Sequence, residues 1–155
     1  MNNILQLALH PTPTEATALQ DTMLAFNSAK NIVLQEASRK DCFNKHKLSK
    51  ELYYQIKNDF LLPSQLTICS ITTVVEDHKK GETPSHYEDF DEVFYDKRVV
   101  SFRGLQTTSI ATTIGRIQPK FTFEKYLSWK EAPTQIGSAI LRYVDGKFHL
   151  FTIIA

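Results

Sequence analysis

The segment AILRYVDGKFHLFTII, from Ala139 to Ile154, carries the strongest local signal of the chain. Within it, Asp145 and Gly146 separate two runs that are rich in aliphatic and aromatic residues. An Asp-Gly pair between such runs favours a type I′ turn, because both residues tolerate the positive φ that this turn requires. The segment therefore predicts an antiparallel β-hairpin.

More strands are predicted on the N-terminal side of this hairpin. The runs Val99–Arg103 and Ser109–Ile117 are rich in β-branched and aromatic residues, and the first strand of the hairpin is predicted to begin at Gln135. At the start of the chain, Asn3–Leu9 is a short apolar run that ends before Pro11 and also predicts a strand. A unit of β-structure is therefore expected at the C-terminal end, with one strand contributed from the N-terminus.

Helical patterns lie between these strands. Thr12, Pro13 and Glu15 form a capping-box sequence, so a first helix is expected to start there and to run to about Ala37. Its buried face is predicted from residues spaced three and four apart: Leu19, Met23, Phe26, Lys30, Val33 and Ala37. A second helix is predicted from Ser49, as its cap, to about Leu62, and a third from Ser64 to Lys80.

This order of elements indicates an α+β fold. A strand, three helices and then several strands are typical of a small antiparallel β-barrel, or curled sheet, into which a three-helix lobe has been inserted. We expect the first strand to lie beside the closing hairpin. The predicted division is residues 1–10 and 97–155 for the barrel, 11–81 for the helical lobe and 82–96 for an acidic linker.

Composition excludes several classes of protein. The 155 residues are 42% hydrophobic and 23% charged with a formal net charge of +1, which is typical of a folded chain rather than a disordered one. No apolar run is long enough to cross a membrane, and the N-terminus lacks a signal peptide, so we expect a cytoplasmic protein without a membrane partner. Cys42 and Cys69 lack CxxC spacing, which argues against a disulfide framework or a cysteine zinc site.

The charges are unevenly distributed along the chain. Residues 30–57 contain seven basic and three acidic residues, residues 82–96 contain six acidic and no basic residues, and residues 97–147 contain nine basic and three acidic residues. A solvated surface explains either basic segment taken alone. Two basic segments together favour a polyanionic partner such as nucleic acid.

No motif for catalysis or for a cofactor is present. The sequence lacks a P-loop, a dinucleotide-binding glycine motif, a GxSxG elbow and an HExxH zinc motif. The acidic run from His86 to Glu92 offers oxygen ligands for Mg²⁺, but one flexible segment does not fix an ion as separated rigid elements do. We therefore expect no cofactor and no metal. An enzyme that uses Glu88, Asp89 and Asp91 is the third hypothesis, ranked below the two binding functions described below.

Five segments in this order resemble the N-terminal half of TnpB, a transposon-encoded RNA-guided endonuclease family related to type V CRISPR effectors. These are LALHPTPTEATALQDTMLAFNSAKNIV (7–33), LYYQIKNDFLLPSQLTICSITTVVEDHKK (52–80), YDKRVVSFRG (95–104), TTIGRIQPKF (112–121) and the hairpin AILRYVDGKFHLFTII. The resemblance implies that the strands form a wedge domain akin to an oligonucleotide-binding barrel and that the helices form a recognition lobe. It also implies guide-type RNA and target DNA as partners.

The chain departs from the family where the nuclease would follow. In TnpB a RuvC-like domain comes after the closing hairpin, whereas this sequence stops at Ala155. The resemblance therefore implies a module that binds nucleic acid without cleaving it. The alternative is an interaction subunit whose exposed barrel edge docks a separate RuvC-containing polypeptide.

Candidate contacts to nucleic acid fall in both parts of the chain. Ser64, Gln65 and Ile68 match the region that approaches the adjacent DNA motif in the family, although Ser64 could be only a helix cap and Gln65 a solvated residue. For phosphates and bases, the further candidates are Lys45, Lys47, Lys50 and Tyr54 in the lobe, and Arg98, Arg103, Arg116 and Lys120 in the barrel. Of Tyr53 and Tyr54, one is expected to face the core, and any of the arginines could be a plain surface residue. Trp129 is either a stacking platform or a plug for the barrel end.

Overall fold

The computed structural model describes residues 2–129 and 138–153. Eight strands and three helices are present in this part of the chain: β1 (Asn2–His10), α1 (Pro13–Lys40), α2 (Lys45–Phe60), α3 (Ser64–Lys79), β2 (Val93–Tyr95), β3 (Val100–Arg103), β4 (Thr107–Thr112), β5 (Gly115–Ile117), β6 (Lys120–Trp129), β7 (Ala139–Val144) and β8 (Lys147–Ile153). None of the helices described combines the length and the apolar character that crossing a bilayer requires.

The strands form one curled antiparallel sheet in the order β2-β7-β8-β1-β6-β4-β3, with β5 paired to β4. β1 lies between β8 and β6, and Ile4 is directly opposite Ile153 of the closing hairpin. The α+β prediction is confirmed: three helices are inserted after the first strand of a nearly closed, barrel-like sheet. The predicted acidic linker, residues 82–96, contains β2, which pairs with β7.

The two strongest local predictions, the Asp145-Gly146 turn and the capping box at Thr12, have the expected geometry. Asp145 and Gly146 have φ angles of 53° and 75°, as a type I′ turn requires, and β7 and β8 pair on either side of them. Thr12 accepts a hydrogen bond from the Glu15 amide while the Glu15 carboxylate accepts one from the Thr12 amide, so the capping box closes. The whole predicted stripe of α1 is buried, Lys30 included.

Some predicted boundaries are wrong. α2 begins four residues before Ser49, because the Asn44 side chain accepts from the Lys47 amide and provides an earlier cap. α3 begins at Ser64 as predicted, with Pro63 in the cap position and no side-chain hydrogen bond from it. The run 109–117 contains two strands, since Gly115, at a φ of 106°, follows a turn. The predicted strand start at Gln135 lies outside the described residues.

The helices cover one face of the sheet, which we call the inner face. Leu7, Leu141 and Leu150 from the sheet share a single buried core with Phe26 of α1 and Leu66 of α3. The opposite, outer face carries a smaller buried cluster, formed by Ile4, Ile140, Phe151 and Ile153. Because side chains alternate along a strand, the residues of β1 divide cleanly between the two faces, with Leu5, Leu7 and Leu9 inside.

Candidate nucleic-acid interface

Four polar residues form a row across four neighbouring strands. Arg103 of β3 is directly opposite Thr107 of β4, Thr107 is directly opposite Lys120 of β6, and Lys120 is directly opposite His10 of β1. Directly opposite residues in an antiparallel sheet have side chains on the same face. We call Arg103, Thr107, Lys120 and His10 the basic row.

The basic row lies on the outer face. Its members alternate along the strands with Leu9 and Phe121, which pack into the inner core, so His10 and Lys120 point away from the helices. Arg103, Lys120 and His10 are exposed. Within the described chain, no ion pair or side-chain hydrogen bond engages Arg103 or Lys120, whereas His10 Nε2 lies 2.8 Å from Thr122 Oγ1.

This arrangement suits a phosphate backbone. Adjacent strands are about 4.8 Å apart, so Arg103 and Lys120, with one strand between them, are separated by roughly 10 Å across the sheet. Two free cations at that spacing, with threonine hydroxyls and an imidazole beside them, offer several donors to phosphate oxygens. The row therefore brings together two of the four barrel residues predicted from the sequence, Arg103 and Lys120.

The other two barrel candidates are engaged within the protein. The Arg116 guanidinium donates to the Ser109 carbonyl and hydroxyl oxygens and, at 2.6 Å, to the carbonyl of Arg98. The Arg98 guanidinium donates to Asp96 Oδ2 at 3.1 Å, although two-thirds of its side chain stays exposed. Arg116 thus joins β5 to β4 and to the loop before β3, Arg98 is bonded to Asp96 after β2, and contact of either arginine with phosphate stays a prediction.

Asp96 is the centre of a buried polar cluster. It is 5% exposed and accepts hydrogen bonds from Gln65 Nε2 at 2.6 Å and from the Arg98 amide at 2.8 Å. Burial alone raises the pKa of Asp96, but the hydrogen bonds from Arg98 and Gln65 outweigh burial and hold this pKa below its usual value. Nearby, burial raises the pKa of the Cys69 thiol, whose Sγ lies 3.8 Å from Asp96.

The start of α3 differs from the alternative in which Ser64 is only a helix cap and Gln65 a solvated residue. Ser64 is exposed and is the first helical residue rather than the cap, while Ile68 is half-buried. Gln65 is half-buried and its amide is bound to Asp96, so it is not a solvated residue. For Gln65 to pair with adenine it would have to leave this carboxylate, and that role stays a prediction.

The helical candidates form a separate exposed stripe on α2. Lys45, Lys47 and Lys50 are exposed, and Tyr54 is 73% exposed, whereas Tyr53 is half-buried and packs edge-on against Tyr54 at 5.1 Å between ring centroids. Residues 47, 50 and 54 lie on one side of a helix because they are three and four apart. The stripe ends at an open groove of about 460 Å³ between the end of α2 and the β4–β5 turn, which Lys57 and Thr113 line.

The acidic segment, residues 82–96, is hydrogen-bonded to α1. Asn27 Nδ2 donates to the carbonyls of Asp89 and Asp91, and Asn31 both donates to and accepts from the backbone of Tyr87. In the part of the chain described by the structure, no three His, Cys, Asp or Glu side chains converge as metal ligands.

Two members of the basic row, Thr107 and His10, were missed by sequence reasoning. His10 is a scattered histidine with no motif around it, and Thr107 lies in a short turn-like segment after Gly104. Only the strand register reveals their place: His10 pairs with Lys120, 110 positions away, whereas Thr107 pairs with Arg103 and Lys120, four and thirteen positions away. Trp129 belongs to β6, and its side chain lies outside the described set.

Comparison with known proteins finds no family model that matches this chain and no similar curated protein.

Proposed function

We propose that this chain binds nucleic acid, with the basic row holding the phosphate backbone against the outer face of the sheet. The observation that carries the proposal is the register that aligns Arg103 and Lys120 across β4, on an exposed surface, where no carboxylate of the described residues pairs with either cation. Folding brings these cations together although they are seventeen positions apart in the sequence. Strand pairing keeps them in fixed positions.

The net charge of the chain determines how such binding should depend on salt. The whole chain is close to neutral, so long-range attraction is weak and binding depends on local phosphate contacts. Each cation that neutralises a phosphate releases a counterion, and affinity then falls as salt rises. A small, salt-sensitive contact set is expected, with modest affinity.

The finer form of this proposal is the TnpB-like one. In that form the nucleic acid is a guide-type RNA and its DNA target, the sheet serves as the wedge domain, the α2 stripe belongs to the recognition lobe, and the chain binds without cleaving. Sequencing the RNA that copurifies with the chain tests it. One defined transcript supports guide binding, whereas bulk cellular RNA contradicts it and leaves general nucleic-acid binding in place.

The basic row is tested by the salt dependence of binding. Fluorescence anisotropy with a labelled single-stranded RNA gives the slope of log K against log salt for the wild type and for Arg103→Ala/Lys120→Ala. Each lost phosphate contact lowers this slope by about 0.7 for a single strand, so the double variant should lose about 1.4 in slope. Its affinity at low salt should fall roughly tenfold to a hundredfold.

Lys80→Ala is a matched control. Lys80 is an exposed lysine at the C-terminal cap of α3, on the helical side of the sheet rather than on the outer face. It should bind with the wild-type slope. If the double variant and Lys80→Ala behave alike, the basic row is not the binding surface.

A further inference from the structure

β6 has an open edge. On one side it pairs with β1 along its length, from Lys120 opposite His10 to Trp129 opposite Asn2. On the other side, in the described part of the chain, Lys120 lies opposite Thr107 and the Phe121 amide donates to the Gln106 carbonyl at 2.8 Å, and no further residue of β6 is in register with a strand. Among the described residues, no strand pairs with residues 122–127 on the edge of β6 that faces away from β1. An open edge presents unpaired N–H and C=O groups to any strand that can align with it.

Large aromatic side chains stand exposed at this edge. Phe123 is 53% exposed and Tyr126 is 70% exposed, and their rings pack on each other at 5.0 Å between centroids. Both lie on the inner face, because they are directly opposite Leu7 and Leu5 of β1. Exposed aromatic residues of this size are enriched at protein interfaces and contribute much of the binding energy there.

The charged residues between them lie on the outer face. A register shift between Gln6 and Leu7 leaves Glu124 as an extra residue in β6. The Glu124 carboxylate accepts from Gln6 Nε2 at 2.7 Å and lies 3.3 Å from His149 Nε2, while Lys125 is directly opposite Gln6. Glu124 and Lys125 therefore share one face, and a carboxylate keeps acceptor capacity beyond those two contacts.

The edge is complementary to itself. If two copies of β6 pair antiparallel about a two-fold axis between residues 124 and 125, Glu124 of each copy lies opposite Lys125 of the other. In the same register, Phe123 of each copy lies opposite Tyr126 of the other. Opposite charges meet on the outer face and aromatic rings meet on the inner face, and both kinds of cross-strand pair stabilise antiparallel strands. A two-fold axis requires this reciprocity, in which residue i contacts j and j contacts i.

We propose that the open edge of β6 is a homodimer interface, at which a second copy of this chain adds its β6 in the register that pairs Glu124 with Lys125. A lysine and a bulge at an edge also protect against edge-to-edge pairing. Here the protection is incomplete, because the neighbouring glutamate offers the lysine a partner and the aromatic residues stay exposed. The inference is independent of the proposed binding of nucleic acid, since the basic row does not form this edge.

The dimer should be weak. Six paired residues per copy, with two aromatic side chains on each, form an interface at the low end of the size range for specific complexes. A dissociation constant on the order of 10–100 μM is expected. Sedimentation velocity of the full chain from about 5 to 500 μM should show a monomer–dimer equilibrium that sharpens toward dimer at the highest concentration.

Charge exchange tests the register. In Lys125→Glu, two glutamates of one copy face two glutamates of the other, so the dissociation constant should rise at least tenfold. In Glu124→Lys, lysines face lysines and the same loss is expected. A mixture of the two variants should form a heterodimer, because the two lysines of one variant then lie opposite the two glutamates of the other. A structural defect in either variant would not be corrected by mixing.

Lys147→Glu is the control, since it makes the same change of charge at an exposed site away from β6. It should dimerise as the wild type does. A chain that stays monomeric at 500 μM overturns the proposal and leaves the β6 edge to a different partner, such as another protein. A wild-type dimer that Lys125→Glu does not weaken also overturns it, because the contact then lies elsewhere.

Discussion

The Nζ atom of Lys30 lies 4.1 Å from the ring centroid of Tyr87, in a site where the lysine is only 2% exposed. The ring of Phe26 is the second aromatic neighbour, at 5.4 Å. Burial lowers the pKa of Lys30 to about 8, and the negative charges of Asp91, Asp77 and Glu92 oppose this shift only in part. Lys30 of α1 thus contacts the acidic segment through an aromatic ring, and among the described residues no carboxylate forms an ion pair with it.

Lys30→Met should stabilise the protein near neutral pH. The pKa of Lys30 is lower in the folded state than in the unfolded state, so the unfolded state binds more protons above about pH 8. The buried charge of Lys30 therefore destabilises the fold most at or below that pH. A shift of this size corresponds to about 3 kcal/mol, of which the lost cation–π contact offsets a part. Urea unfolding at pH 7 should show a gain of about 1–2 kcal/mol for the variant.

The pH dependence distinguishes this cause from better packing. Between pH 7 and pH 9 the wild type should gain about 1 kcal/mol relative to Lys30→Met, because the burial penalty is relieved as Lys30 loses its proton. Lys147→Met, at an exposed site, should follow the wild type. A constant difference between wild type and Lys30→Met across this range would show that the buried charge is not its origin.

Asp96→Ala should destabilise the protein by about 2–3 kcal/mol, because it leaves Gln65 and Arg98 without their buried acceptor. A carboxyl with a lowered folded pKa stabilises the fold above its unfolded pKa, and that contribution is lost as the pH falls through the folded value. The wild type should therefore lose stability below about pH 4 more steeply than the variant. Thermal unfolding from pH 7 to pH 2.5 measures both effects.

Asp59→Ala, the same substitution at an exposed site, is the control for Asp96→Ala. Asp59→Ala should change the stability by less than about 0.5 kcal/mol and should keep the acid sensitivity of the wild type. If Asp96→Ala unfolds no more readily than Asp59→Ala, the Asp96 cluster does not hold β2 and β3 to α3.

Asn31→Ala should release the acidic segment from α1. Asn31 donates to the Tyr87 carbonyl at 2.9 Å and accepts from its amide at 2.8 Å, so the substitution removes two hydrogen bonds from one backbone residue. Hydrogen exchange should become at least tenfold faster in residues 85–92, with little change in the sheet. Asn58→Ala, an exposed change on α2, should leave exchange there unaltered, and equal acceleration everywhere would indicate global destabilisation instead.

The parts of the fold that the sequence predicted depend on local chemistry. Thr12, Pro13 and Glu15 set the start of α1 through contacts within four residues, and Asp145-Gly146 sets the hairpin through its own dihedral angles. β2 was missed because three residues beside an acidic run are too few to show the alternation of side chains that predicts a strand. β6 was missed because its bulge interrupts the alternation of side chains, which the period-two pattern requires.

Two of the four residues of the basic row, Arg103 and Lys120, were candidates from the sequence, but their arrangement in a row was not predicted. In the sequence, Arg103, Lys120 and Arg116 are alike as cations of a basic segment, but the Arg116 guanidinium is bonded to Ser109 and to the carbonyl of Arg98. Whether a cation is free depends on which strands become neighbours. That information comes from long-range pairing, not from the residue type.

The exposed stripe on α2 should contribute a second, separable set of contacts to nucleic acid. Lys47→Ala/Lys50→Ala should lower the salt slope for single-stranded RNA by about 1.4, as loss of two phosphate contacts requires. Tyr54→Ala should weaken single-strand binding by about 1–3 kcal/mol and leave duplex binding unchanged, because only an unpaired base can stack on an exposed ring. Anisotropy with matched single-stranded and duplex probes measures both, and Lys79→Ala/Lys80→Ala, which removes two exposed charges at the end of α3, controls for total charge. If the α2 variants keep the wild-type affinity while Arg103→Ala/Lys120→Ala loses it, the sheet binds alone and the helical lobe has no part in the contact.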